Sequence, residues 1–320
     1  MLIKSLSHLM PMKKTSYIKL YLSIFIGSLS VFVADAQKLP NKQEISLWAP
    51  ANIKIDGKMN EWGDKLQAYN KNTLVYYTIA NDDDNLYLVV RIENPDIINK
   101  AISGAITLTV NPHGKQSDEK CPAISFPLLN SASGTAIRTN ASLLTGRAKH
   151  IQEVANATSN DTKLKSKETP NDSLLRVADE RLSEDTKEIK ISDIDGITDT
   201  VTGTHTDKMK QFWRYPLYVL PGYYIPKENN LGIKAAASFE GNWKYTYELA
   251  VPLKYLKVQP EKKFSYNIRL NGPMYKTGKP TAGYPVMFSL DQVNHVATRI
   301  DQDLIEATDF WGEYTLAKKP

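Results

Sequence analysis

The chain has 320 residues, 42% hydrophobic and 23% charged, with 40 Lys and Arg against 35 Asp and Glu and a formal charge of +5. Its single cysteine, Cys121, excludes an intramolecular disulfide, so a fold of this size must be held by a packed core. Residues 1–36 hold four of the Lys and one Asp; without them the charge is +2, which removes the main argument for a nucleic-acid partner.

Those first residues read as an export signal. Lys13 and Lys14 precede an apolar run from Tyr17 to Val33, and Ala34-Asp35-Ala36 offers small residues to a signal peptidase, so cleavage is expected before Gln37. Lys19 and several serines interrupt the run, which argues against a retained membrane anchor. No cysteine lies near the cleavage point to carry a lipid. The mature chain, 37–320, is expected to be secreted or periplasmic, with no transmembrane segment after cleavage.

The mature chain reads as strands. Ile53 and Ile55 alternate in a short strand ended by an Asp56-Gly57 turn, and Trp62 is expected to plug one end of the fold. Leu74–Ala80 and Leu86–Ile92 flank Asn81-Asp82-Asp83-Asp84-Asn85, whose repelling carboxylates fit a solvated turn, so the three segments form a hairpin. Ala105–Val110 and Ala123–Leu128 are the next strands, separated by the turn composition of residues 111–115. From about 130 to 186 polar residues dominate, as in an insertion without a core of its own, mobile or partly helical. Within it Ser173–Lys187 carries Leu174, Leu175, Ala178 and Leu182 at near-helical spacing. Glu188–Ile194 alternates as a strand with one wet face.

Residues 212–225 hold six aromatics among prolines and read as loop. Ile233–Phe239 and Trp243–Val251 pair about a Glu240-Gly241-Asn242 turn; Phe264–Leu270 and Tyr314–Leu316 complete the set. Strands at short intervals with turns between them predict an all-β fold, an antiparallel sandwich of jelly-roll type.

Several of these residues come in an order that resembles family 9 carbohydrate-binding modules and their DOMON-like relatives. The resemblance rests on Ile55-Asp56-Gly57-Lys58 with Glu61-Trp62, on residues 81–87, on Tyr247-Glu248-Leu249-Ala250-Val251-Pro252-Leu253, on Asn267-Ile268-Arg269, and on Trp311-Gly312-Glu313 as a closing turn. It implies a β-sandwich that grips a sugar between aromatic rings, helped by polar side chains, with metal ions bracing loops. Asn267 and Arg269 are the residues that fall on a matched motif. Haem binding, known among DOMON-like relatives, lacks a Met/His pair here.

Sugar recognition needs flat apolar rings beside hydrogen-bonding groups. The candidate rings are Trp213, Tyr215, Tyr218, Tyr223 and Tyr224 in one Pro-containing segment and Tyr275 and Tyr284 in another; either they line a site or they fold down as a lid on the core. Asn267 and Arg269 share one face of their strand, a ligand surface or a wet face with a surface ion pair. Asp82, Asp83 and Asp84, with Asp56 and Asp64, are candidate ligands for a structural Ca²⁺, against the simpler reading of a solvated turn. The scattered histidines and the absence of a Gly-x-Ser-x-Gly elbow or P-loop give no catalytic motif. The leading expectation is a non-catalytic carbohydrate-binding module. The alternatives are an exported assembly protein that contacts an envelope or extracellular partner, and a glycoside hydrolase or its accessory domain, whose paired carboxylates have no fixed spacing.

Overall fold

Apolar residues at alternate positions need two sheets facing each other, and that is what the chain builds. The computed structural model describes residues 39–63, 66–128, 170–195, 197, 223–272, 303–304 and 306–320. Eleven strands form among them: β1 (Ala68–Asn70), β2 (Val75–Asn81), β3 (Asn85–Ile92), β4 (Ile106–Asn111), β5 (Ala123–Leu128), β6 (Glu188–Ser192), β7 (Tyr223–Pro226), β8 (Lys234–Glu240), β9 (Lys244–Pro252), β10 (Phe264–Leu270) and β11 (Thr308–Tyr314). They make a five-stranded sheet ordered β1-β2-β3-β9-β8 and a six-stranded sheet ordered β11-β10-β4-β5-β6-β7, with antiparallel pairing throughout. The fold is an all-β sandwich with a helical insertion, as the sequence predicts. Among the described residues no helix is long and apolar enough to cross a membrane.

The core lies between the sheets. Leu86, Leu88, Val90 and Ile92 of β3 and Tyr245, Tyr247, Leu249 and Val251 of β9 meet Ile106, Leu108 and Val110 of β4 and Phe264, Tyr266, Ile268 and Leu270 of β10. Each strand turns the intervening residues outward, the period-two signature of the pleat. Gly312 on β11 pairs with Tyr266, whose ring lies 2.2 Å from where a Cβ would be, so the absence of a side chain there makes room for the ring. Trp311-Gly312-Glu313 therefore belongs to a strand rather than to the expected closing turn, and β11 begins six residues before the expected Tyr314.

Among the described residues two α-helices pack against the strands. The expected elements include no counterpart to α1 (Pro95–Gly104), although its signals are local. Pro95 sits in the first turn, the Asn94 side chain accepts the amides of Asp96 and Ile97, and Ile97, Ile98, Ala101 and Ile102 fall on one buried face. The second helix, α2 (Pro170–Asp185), covers the expected Ser173–Lys187 segment, buries Leu175, Ala178 and Leu182 and packs along β8, where Asp179 Oδ1 accepts the Phe239 amide at 2.6 Å. Tyr223–Pro226 is a strand where loop is expected; it adds to β6 at the sheet edge, the position a strand ending in proline tolerates.

The segment before β1 is not the expected strand. Ile53 and Ile55 lie in a covering loop that packs on the outer face of the five-stranded sheet, with Trp62 edge-on to Tyr87 at 6.2 Å. Trp62 thus closes a sheet face, not the sandwich end. One buried carboxylate organises this cover. Glu248 of β9 accepts the amides of Asp56 (3.0 Å) and Gly57 (2.7 Å) at Oε2 and the indole N–H of Trp62 (2.6 Å) at Oε1. Glu240 accepts the Met59 amide at 2.9 Å, and Ser238 donates to the Gly57 carbonyl at 2.7 Å. Gly57 has φ +82°, and a Cβ there would meet the Ala237 and Ser238 backbone at 2.7 Å, so the turn can approach β8 only as glycine. Burial pushes the Glu248 carboxyl up to about 6, while the three N–H donors, which favour the ionised form, restrain the rise.

Gly57→Ala and Glu248→Ala should each lower unfolding free energy by about 3 kcal/mol, the first through a backbone clash in the left-handed region and the second by orphaning buried donors. Denaturant midpoints for either variant within the equivalent of about 1 kcal/mol of the parent would contradict the clasp. By NMR the Glu248 carboxyl should titrate near pH 6. Because that lies above the unfolded value of 4.5, the group's favourable contribution is complete below pH 4.5 and lost as pH rises through 6. A midpoint at or below 4.5 would reverse that sign.

Candidate functional site

The outer face of the six-stranded sheet is polar. Strand register lines up one residue from every strand in a single row: Asp309 on β11 pairs with Arg269 on β10, Arg269 with Thr107 on β4, Thr107 with Ser125 on β5, Ser125 with Lys190 on β6, and Lys190 with Tyr224 on β7. Five strand spacings make the row about 24 Å long. A second row runs beside it through Trp311, Asn267 and Thr109.

Most of the polar side chains of this face are buried. Thr107, Thr109, Ser125, Lys190 and Asn267 keep 3–8% exposure, whereas Leu108, Ile124 and Ile268 beside them, on the inner side, keep none. Thr107 and Ser125 share a hydroxyl–hydroxyl bond of 2.7 Å, and the Asn271 amide donates to Thr107 Oγ1 at 2.7 Å and to the Ala105 carbonyl at 3.2 Å. Desolvation draws the Lys190 ammonium down to about 8. Ser265 Oγ and Arg269 Nε on β10 and Asn271 Oδ1 just past its end are buried without a hydrogen-bond partner. Hydroxyl, amide, ammonium and guanidinium groups thus gather on one face, which holds both donors and acceptors.

The expected site residues separate into groups. Arg269 and Tyr224 both lie in the row. Asn267 shares the Arg269 face, as alternation predicts, but is committed: its amide donates to Asp309 Oδ2 at 2.8 Å and to the Phe310 carbonyl at 3.1 Å, tying β10 to β11. Tyr223 turns the other way and packs against the core. Trp213, Tyr215, Tyr218, Tyr275 and Tyr284 lie outside the described residues, as does Asp64. Thr107, Ser125 and Lys190 are additions, carried in the sequence by polar residues at every second position of Ile-Thr-Leu-Thr-Val, Ile-Ser-Phe and Ile-Lys-Ile.

The acidic hairpin turn has a structural use for Asp82. Its Oδ1 accepts the amides of Asp84 (2.8 Å) and Asn85 (2.7 Å), and its Oδ2 accepts the Tyr87 hydroxyl at 2.6 Å. Asp83 and Asp84 are exposed, and among the described residues no three His, Cys, Asp or Glu side chains converge as a metal site. Cys121 is buried, its Sγ 3.4 Å from the Ser117 and Glu119 carbonyls, and burial raises its pKa, the reverse of what an activated thiol needs.

Asn267→Ala should lower stability by about 1–2 kcal/mol by releasing Asp309 and the Phe310 carbonyl. Its thermal midpoint should fall by several degrees. A midpoint equal to that of the parent would mean that Asn267 is not holding β11.

No protein-family model matches the chain, and a search of curated proteins finds no match.

Proposed function

We propose that this chain is an exported, non-catalytic binding module of the family 9 carbohydrate-binding, DOMON-like kind, and that its ligand is a carbohydrate lying on the outer face of the six-stranded sheet. The row Arg269–Thr107–Ser125–Lys190–Tyr224 carries the reading. A polyhydroxylated ligand exchanges donors and acceptors with such groups along its whole length and can lay a ring on the tyrosine at the edge. Export rests on the cleavable signal pattern of residues 1–36.

The polarity of the face favours a sugar over a protein partner. The cores of protein interfaces are depleted in charged residues and more apolar than their rims, whereas this row is polar from strand to strand. A hydrolytic role would need two carboxylates facing one bond. The row holds one, Asp309, and it already accepts the Asn267 amide.

A polysaccharide and glycan panel should return binding that Arg269→Ala and Tyr224→Ala weaken by about tenfold each, equivalent to one charged or stacking contact. Binding to no glycan at millimolar concentrations, with envelope proteins co-purifying instead, would favour an assembly role. Release of sugar from a bound polysaccharide would make the protein an enzyme.

A further inference from the structure

Arg269 is the member of the row with the most hydrogen-bonding capacity left over. Its Nη1 lies 4.0 Å from Asp118 Oδ2, beyond hydrogen-bond reach, and its buried Nε has no partner. Its neighbours in register are engaged elsewhere: Thr107 with Ser125 and Asn271, and Asp309 with Asn267. Glu313, four residues along β11 from Asp309, pairs with Lys263 at 2.9 Å. The side chain is nevertheless 43% exposed, so the guanidinium opens outward from a face lined with hydroxyls.

A neutral sugar hydroxyl satisfies one N–H of such a fork. A carboxylate takes two in one plane, and each bond is charge-assisted. Asp118 is no strong rival, because at 68% exposure and 4.0 Å its attraction is screened by water. Lys190 adds a second positive charge to the same row, three strands away at about 14 Å.

The geometry points to an acidic sugar as the ligand: a uronate polymer whose carboxylate pairs with the Arg269 guanidinium through two parallel N–H···O bonds from its exposed end. This rests on the glycan reading of the same face and adds the charge of the ligand to it.

The test is affinity electrophoresis and calorimetry of the purified full chain with polygalacturonate and alginate, against fully methyl-esterified polygalacturonate and a neutral glucan. The acidic polymers should bind, methyl esterification should weaken binding at least about tenfold, and so should Arg269→Lys, which keeps the charge and the fold but loses the fork. Equal affinity for the ester and the acid, binding of the neutral glucan alone, or an Arg269→Lys variant as tight as the parent would overturn the acidic ligand while leaving the glycan reading in place. Failure of every polymer, acidic and neutral, would overturn both.

Discussion

A slip of one residue between β10 and β4 would carry Ile268 out of the core and Arg269 into it, and the rest of this structure depends on that slip not occurring. Register in a sheet has a period of two, so one apolar face fixes the identity of the other. Here Tyr266, Ile268 and Leu270 are fully buried between the layers, and their alternates Asn267 and Arg269 are obliged to face outward. The same constraint repeats through β11, β4, β5, β6 and β7 and assembles the polar row from residues that are up to 202 positions apart in the chain, Thr107 to Asp309. The row is thus a by-product of core packing, and its precision is that of the core.

Sheets with free edges pair with other chains, and with no disulfide available this protein guards its edges by hydrogen bonding. The outer edge of β2 is covered in three ways. β1 pairs with Val75–Tyr77, the Gln43 side chain acts as a substitute strand by accepting the Ile79 amide and donating to the Ile79 carbonyl, and residues 47–49 exchange backbone bonds with Asn81. Asn81 also receives the Ala317 amide, and the Tyr314 hydroxyl donates to the Leu47 carbonyl, so both ends of the described sandwich are sewn to one strand. On the neighbouring face Glu248 does the equivalent work for the covering loop. Asp56, Gly57 and Trp62 thus share one hydrogen-bonded cluster with a residue 186 to 192 positions further along the chain.

Much of this could be read in advance because strand alternation is local. The eight strands from β2 to β6 and from β8 to β10 fall within one or two residues of where periodicity places them. The exceptions each have a physical cause. Residues 53–55 alternate like a strand but have no neighbour to pair with, because the Asp56-Gly57 turn is captured by Glu248 across the sheet, a contact no local pattern reveals. Helix α1 begins at Asn94-Pro95, a clear capping signal overshadowed by the strand that ends at Ile92. The polar row is half legible in the sequence: Arg269 and Tyr224 are recognisable as outward or exposed, whereas joining them to Thr107, Ser125 and Lys190 requires strand order, which is a property of the whole fold. Asn267 looked like a ligand contact and is instead a tether, since only the register shows Asp309 beside it.

The central claim is that a ligand lies across the strands on the outer face of the six-stranded sheet. Its most direct test is amide chemical-shift mapping on isotopically labelled protein titrated with a bound oligosaccharide. The account predicts that the largest shifts cluster at Thr107, Ser125, Lys190, Tyr224 and Arg269, five residues on five different strands. Shifts confined to the Asp56–Trp62 cover, or to the outer face of the five-stranded sheet, would contradict it.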